Sequence, residues 1–128
     1  MAQCVVSEEP IKQLNQPGVL YIPFTMDKLP KNSRVVIGIG ELSKINLQGN
    51  TFYLKENCYG IHSDAFTYSF NKTSEYGVQL QNGSKLTLKL DFVKDEMSFI
   101  VDGLNRGIAF SKLNLKEGKY HLCMQCVL

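Results

Sequence analysis

Few residues in this chain carry chemistry, and their spacing decides what they can do. Cys123-Met124-Gln125-Cys126 has the C-x-x-C spacing that elsewhere holds zinc or cycles between dithiol and disulfide. It lies inside Tyr120 to Leu128, a stretch that reads as a strand. Residues three apart on a strand point to opposite faces, so the two sulfurs do not meet one metal. With no second C-x-x-C, and only His62 and His121 as imidazoles, core packing is the reading. His62-Ser63-Asp64 has the letters of a hydrolase triad, but sequence neighbours do not converge in triad geometry. Asp91, Asp95 and Glu96 cluster at a corner without the spaced oxygen ligands of a dedicated calcium site. Gly38-x-Gly40 lacks the third glycine and the following helix of a dinucleotide fingerprint. The expectation is therefore no enzyme, no metal and no cofactor.

Composition supports that modesty. The chain has 128 residues, 44% of them hydrophobic and 20% charged, with a formal net charge of +2. That charge is too mild to point to nucleic acid. Lys28, Lys31 and Arg34, and again Lys112, Lys116 and Lys119, read as solvated faces. No apolar run reaches the length of a membrane span, and the N-terminus has neither the basic lead nor the apolar core of a signal peptide. The expectation is an intracellular protein, cytoplasmic or nuclear, with no nucleic-acid or membrane partner.

The elements that must hold these residues are strands. Lys85 to Phe92 alternates polar and apolar and places Leu86, Leu88, Leu90 and Phe92 on one face. A polar corner at Val93–Glu96 reverses the chain into Met97 to Val101. Asp102-Gly103 supplies the next turn, and Arg106 to Phe110 returns. Upstream, Gly18 to Thr25 reads as a strand whose Pro23 suggests an edge. Arg34 to Gly40 is a continuous apolar run buried on both faces. Thr51 to Leu54, Asn57 to Ile61 and Ala65 to Phe70 are further strands, and Asn82-Gly83 reads as a hairpin turn. Only Ser7 to Leu14 has helix-like features: a Ser cap, early acids, and Ile11 and Leu14 three apart. The expected core combines the four residues of the alternating strand with Phe99, Phe110, Tyr120, Leu122 and Met124. Short strands at regular spacing imply an all-β sandwich or barrel with almost no helix, one domain over 1–128, in which 1–17 is an N-terminal arm or short helical turn.

At this point the residues resemble the SPRY domain family. Gly83, Leu90-Asp91-Phe92, Met97-Ser98-Phe99, Asp102-Gly103 and Gly107-Ile108-Ala109-Phe110 follow one another as in that family's core signature. Val36-Ile37-Gly38-Ile39-Gly40 and Cys58 to Asp64 are similar to two of its upstream stretches, and Leu20 to Phe24 matches loosely. The matches cover most of positions 19 to 122. Ser84 and His121 stand where the family often has Asp and Pro, and the chain has no Trp. A SPRY domain normally continues beyond the place of Leu128 into one more strand. Either the chain is clipped there, the N-terminal segment fills that place, or this is a divergent short member.

The resemblance implies a bent two-sheet antiparallel sandwich of the concanavalin A-like type. It implies a non-catalytic module, a monomer or a subunit of a larger complex, that binds a protein or peptide partner through its loops. By position, the loop 41–50 with Ser43, Lys44, Ile45, Asn46 and Leu47 is the first candidate surface. Thr73 and Tyr76 in the segment Asn71–Tyr76, and Lys112 in Ser111–Lys116, are the others. Apolar and aromatic groups among them would be the anchors; the alternative is that they fold back on the core. Two other functions compete: a lectin-like sugar binder, whose usual stacking Trp is missing here, and a lipid-carrying barrel. The cysteine reading is directly testable. Purified protein should contain no stoichiometric zinc by elemental analysis, and stoichiometric zinc lost on Cys126→Ser would overturn it.

Overall fold

The computed structural model describes residues 3–11, 18–25, 34–41, 57–69, 72–77, 79–81 and 83–127. These form ten strands: β1 (Gln3–Val6), β2 (Val19–Thr25), β3 (Arg34–Glu41), β4 (Cys58–His62), β5 (Phe66–Ser69), β6 (Lys72–Glu75), β7 (Lys85–Asp91), β8 (Glu96–Val101), β9 (Leu104–Ser111) and β10 (Tyr120–Val127). Helix among the described residues amounts to one 3-10 turn, Leu115–Glu117. All strand pairings among the described residues are antiparallel. One sheet has the order β1-β10-β3-β4-β5-β6, the other β2-β7-β8-β9. Two separate sheets make a sandwich rather than a closed barrel, which removes the lipid-carrying barrel from consideration.

The alternating pattern of β7 does what it implies: Leu86, Leu88 and Leu90 are fully buried between the sheets. They meet Val35, Ile37 and Ile39 of β3, Ile61 of β4 and Met97, Phe99 and Val101 of β8. Phe92 and Tyr120 are buried with them, while Phe110, Leu122 and Met124 are half-buried against the same cluster. Each buried aliphatic or aromatic side chain contributes about 1.5–3 kcal/mol, which makes this cluster the main source of stability. β3 is buried on both faces from Val35 to Gly40. On its outer face lie Val36, Gly38 and Gly40, flanked by Cys58, Gly60 and His62 of β4 and by His121, Cys123 and Gln125 of β10. Cys123 and Gln125 are completely buried there, and the Cys123 thiol donates to the His121 carbonyl at 3.4 Å. Gly38 is obligatory: a Cβ at that position would lie 1.8 Å from the Tyr59 carbonyl oxygen and 2.6 Å from the Gly60 Cα.

The turns follow their residues. Asp102 and Gly103 both take positive φ, the conformation a two-residue hairpin demands, and Val101 pairs Leu104 across it. The Asp102 carboxylate accepts the Lys85 amide at 2.9 Å, pinning the start of β7 to this hairpin. Gly83 also takes positive φ and leads into β7. Residues 79–81 form no strand, the Ser84 amide donates to the Gln81 carbonyl at 3.0 Å, and Asn82 of the expected hairpin turn lies outside the described residues. Pro23 sits on β2, an edge strand, as its missing N–H requires.

Two expectations change. The N-terminal arm begins as β1, and its residues up to Ile11 contain no helical turn. The Ser7 hydroxyl, read as a helix cap, instead accepts the Leu122 amide at 3.0 Å and donates to the Glu9 carbonyl. β1 pairs with β10 and so occupies the sheet position flanking the C-terminal strand. The segment Lys72–Glu75, expected as a loop, is an edge strand. Thr51 to Leu54 falls outside the described residues.

β9 carries two register shifts against β8, each adding a residue to β9 as a bulge. Phe99 has no partner in that register. Its amide donates instead to the Tyr76 hydroxyl at 3.3 Å, and that hydroxyl donates to the Gly107 carbonyl. The Tyr76 ring packs edge-on against Phe99, centroids 5.7 Å apart. One side chain from the end of β6 thereby closes the broken ladder of the opposite sheet.

Two outcomes follow. Gly38→Ala should destabilise the fold by about 1–3 kcal/mol, read from denaturant unfolding, because backbone rather than a flexible side chain blocks the new methyl. Tyr76→Phe should cost about 1–3 kcal/mol by leaving the Phe99 amide and the Gly107 carbonyl without partners. Burial raises the Tyr76 hydroxyl above the ordinary tyrosine value, against smaller opposing effects of the Phe99 hydrogen bond and the Arg106 charge. The native state thus holds this proton more tightly than the unfolded chain does. Its contribution is complete below the ordinary tyrosine value and is lost as pH rises through the native one. The Tyr76→Phe protein should therefore lose less stability than the parent above about pH 10.

Candidate functional site

Strand register fixes which connections share an end of the sandwich. Tyr120 lies opposite Glu41, and Gly40 opposite Cys58, so the start of β10, the end of β3 and the start of β4 lie together. The β9–β10 connection reaches the same end, because the Tyr120 hydroxyl donates to the Leu113 carbonyl at 2.6 Å. The β7–β8 turn joins it through Asp95. Its carboxylate accepts the Asn114 amide at 2.7 Å and the Leu115 amide at 2.8 Å. Both flanks of the connection 42–56 therefore emerge beside Lys112–Gly118.

Each piece is positioned by local chemistry. Asp91 accepts the amides of Val93 and Lys94 at 3.0 and 2.9 Å, an Asx turn that holds the corner. Asp95 and Asn114 both adopt positive φ, which Asp and Asn tolerate better than other side chains. In the segment Lys112–Lys116, Leu113 and Leu115 are buried while Lys112, Asn114 and Lys116 are exposed. The apolar pair plugs the core and the polar residues face solvent. Glu41 accepts the Asn57 side-chain amide at 2.9 Å, and the Glu41 amide donates to the Asn57 carbonyl at 3.1 Å. These bonds clasp the base of the connection 42–56.

Two hollows open on this end. The larger, about 260 Å³, is lined by Phe92, Val93, Asp95, Asn114, Lys116 and Glu117. Val93 is 67% exposed at its rim, an aliphatic group standing in water beside a cavity whose lining mixes apolar and polar groups. The smaller, about 70 Å³, runs between Glu41, Asn57, Asn114, Lys119 and Tyr120. Burial raises the Tyr120 hydroxyl well above the ordinary tyrosine range. Tyr59 adds to the effect, as do the negative charges of Glu41 and Asp95. It is therefore a neutral donor at any working pH. Lys119 pairs with Glu117 at 2.8 Å; that carboxylate raises the Lys119 ammonium above its usual value.

The residues proposed from sequence are distributed unevenly. Ser43, Lys44, Ile45, Asn46 and Leu47 lie outside the described residues, although the flanks of their connection are fixed at this end. Lys112 is here and exposed. Thr73 is exposed on edge strand β6, opposite Tyr68. Tyr76 follows the other end of β6 and its hydroxyl is engaged in the clasp described above. Sequence reasoning missed Val93, Asp95 and Asn57 as surface and scaffold residues, and it assigned Glu41 to the loop 41–50, where the structure has it end β3. Of these, only the Asp91–Glu96 corner gave a signal, and it was weighed as a cation site. Both Asp95 oxygens are in fact taken by backbone amides. No group of three or more potential metal ligands occurs among the described residues.

The triad-like letters have structural uses. The Ser63 hydroxyl accepts the Val35 amide at 3.1 Å, and the Asp64 carboxylate accepts the Tyr68 hydroxyl at 3.2 Å. His62 Nδ1 accepts the Asp64 amide at 3.1 Å. His62 and Asp64 do meet, with Nδ1 and Oδ1 3.1 Å apart. The serine is committed to the backbone.

No family model matches the sequence, and no curated protein matches it. Solved structures do. The chain is similar to the SPRY domain of human HERC1, with a TM-score of 0.67 at 12% identity, over 98% of this chain and 80% of that one. It is also similar to a human SPRY domain, with a TM-score of 0.70 at 12% identity, over 97% and 77% of the two chains. No helix among the described residues is long and apolar enough to cross a membrane. The two-sheet architecture and these likenesses agree with the sequence signature: this chain has the fold of a SPRY domain.

Proposed function

We propose that this protein is a non-catalytic interaction module that takes a peptide or a folded protein partner on the loop end of its sandwich, as part of a larger assembly inside the cell. The observation that carries the reading is convergence. The base of the connection 42–56, the β7–β8 turn and the β9–β10 connection meet at one end of a rigid two-sheet core. They surround an open cavity of about 260 Å³ with Val93 exposed at its rim. Loops held by a rigid scaffold carry recognition, and an exposed aliphatic beside polar groups is the make-up of an interface anchor. Ser43, Lys44, Ile45, Asn46 and Leu47, with Lys112, supply the remaining contacts in this reading. Thr73 belongs to the adjoining edge. Tyr76 contributes by holding β8 and β9 in place.

The test is a peptide-display library selected on the intact protein, followed by binding measurements with the enriched peptides. Val93→Asp and the double change Ile45→Asp, Leu47→Asp should each weaken binding by more than about tenfold, equivalent to about 1.4 kcal/mol, with the melting temperature nearly unchanged. A large fall in melting temperature for the double change would place those side chains in the core. Undiminished binding by both variants, with stability intact, would place recognition elsewhere.

A further inference from the structure

The charges at the loop end are not equally open to a partner. Asp95 accepts the Asn114 amide on one carboxylate oxygen and the Leu115 amide on the other. Glu117 pairs with Lys119 at 2.8 Å, and Glu41 holds the Asn57 side chain at 2.9 Å. All three carboxylates are thus engaged by the protein's own groups. Lys112 and Lys116 are exposed, and among the described residues the only lysine ion pair is that of Lys119. What an approaching chain meets unpaired is ammonium. Asn114 lies between the two lysines in sequence, in the left-handed region at φ 59°, with its amide fixed by Asp95. Its side chain caps nothing and borders both hollows. A carboxamide offers a donor and an acceptor side by side, which matches the N–H and C=O of an extended main chain.

We propose, building on the loop-end reading above, that the partner is an extended peptide segment in which an apolar side chain has carboxylates beside it. The apolar side chain enters the larger cavity against buried Phe92 and exposed Val93. Lys116, which lines the same cavity, and Lys112 take the carboxylates, and the Asn114 carboxamide pairs with the peptide main chain. The cavity, about 260 Å³, is smaller than most small-molecule sites, roughly 300–1,000 Å³, and suits a side chain. A free anion such as phosphate would use the lysines but leave Phe92 and Val93 without a contact. A basic segment would face two unpaired ammonium groups and carboxylates that are already engaged.

An array of hexapeptides tests this on the intact protein. Each peptide places Leu, Ile, Val or Phe beside Asp residues in a Gly-Ser background, and each has a matched Asn version and a matched Lys version. The Asp versions should bind best and the Lys versions worst. Changing Asp to Asn in the best binder should weaken it about threefold, the size of an exposed ion pair, and the difference should shrink in high salt. The double change Lys112→Glu, Lys116→Glu should reverse the order, so that the Lys version exceeds the Asp version, with the melting temperature nearly unchanged. Asn114→Gly keeps the left-handed backbone and should weaken the Asp and Asn versions alike. Equal binding of Asp and Asn versions, still lost on Val93→Asp, would overturn the acidic partner and leave the loop-end reading standing. An order unchanged by the double substitution, or no binding by any array peptide, would overturn the acidic partner too. Binding of Asp versions that is indifferent to Val93→Asp would overturn both.

Discussion

The Tyr76 hydroxyl holds together two parts of the sandwich that hydrogen-bonded ladders leave unconnected. Among the described residues no strand pairing links the six-stranded sheet to the four-stranded one; between them there is side-chain packing, which is strong but non-directional. Tyr76 adds direction. It leaves the end of β6, packs edge-on against Phe99, and spends both functions of its hydroxyl on the main chain of β8 and β9. The bulges of β9 would otherwise leave a buried amide unpaired, which is costly in a low-dielectric interior. With the amide satisfied, β9 can bend without fraying and still deliver the chain to the loop end.

Among the described residues the sandwich has four edge strands, blunted in three ways. β1 and β6 have four residues each, β2 carries Pro23, and β9 is bulged with the Gly107 carbonyl occupied by Tyr76. Short, proline-bearing or bulged edges resist pairing with foreign strands. Recognition by side chains on loops and sheet faces suits such a body better than strand addition does.

Much of this was legible in the chain because period-two alternation and turn residues are local. Leu86, Leu88 and Leu90 announced the core face of β7, Asp102-Gly103 announced its hairpin, and Pro23 announced an edge. Gly38 was legible as a motif, but its reason, the close approach of the Tyr59 and Gly60 backbone, was not. What escaped the sequence was non-local. The Ser7 hydroxyl looked like a helix cap because its neighbours were acidic, yet it caps the strand at Leu122, 115 residues away. Asp95 looked like part of a cation cluster, yet its carboxylate is a spacer between two connections. The segment Ser111–Lys116 was read as a candidate surface, yet its Leu113 and Leu115 are buried in the core cluster. Fold class follows from patterns within a strand. The loop cluster at the end of the sandwich follows from which strand ends meet, and spacing alone does not encode that.

The order of strands has a consequence for how the chain reaches this state. β10 lies between β1 and β3, in the interior of the larger sheet, although it is the last described strand to leave the ribosome. Until Tyr120 to Val127 arrive, β3 has a free edge and β1 has no partner. The nascent chain therefore carries a strand that is buried on both faces in the native state with one side open, a state prone to intermolecular pairing. Early strands can form only a partial sheet. The six-stranded layer is complete only when β10 stands between the first strand and the third.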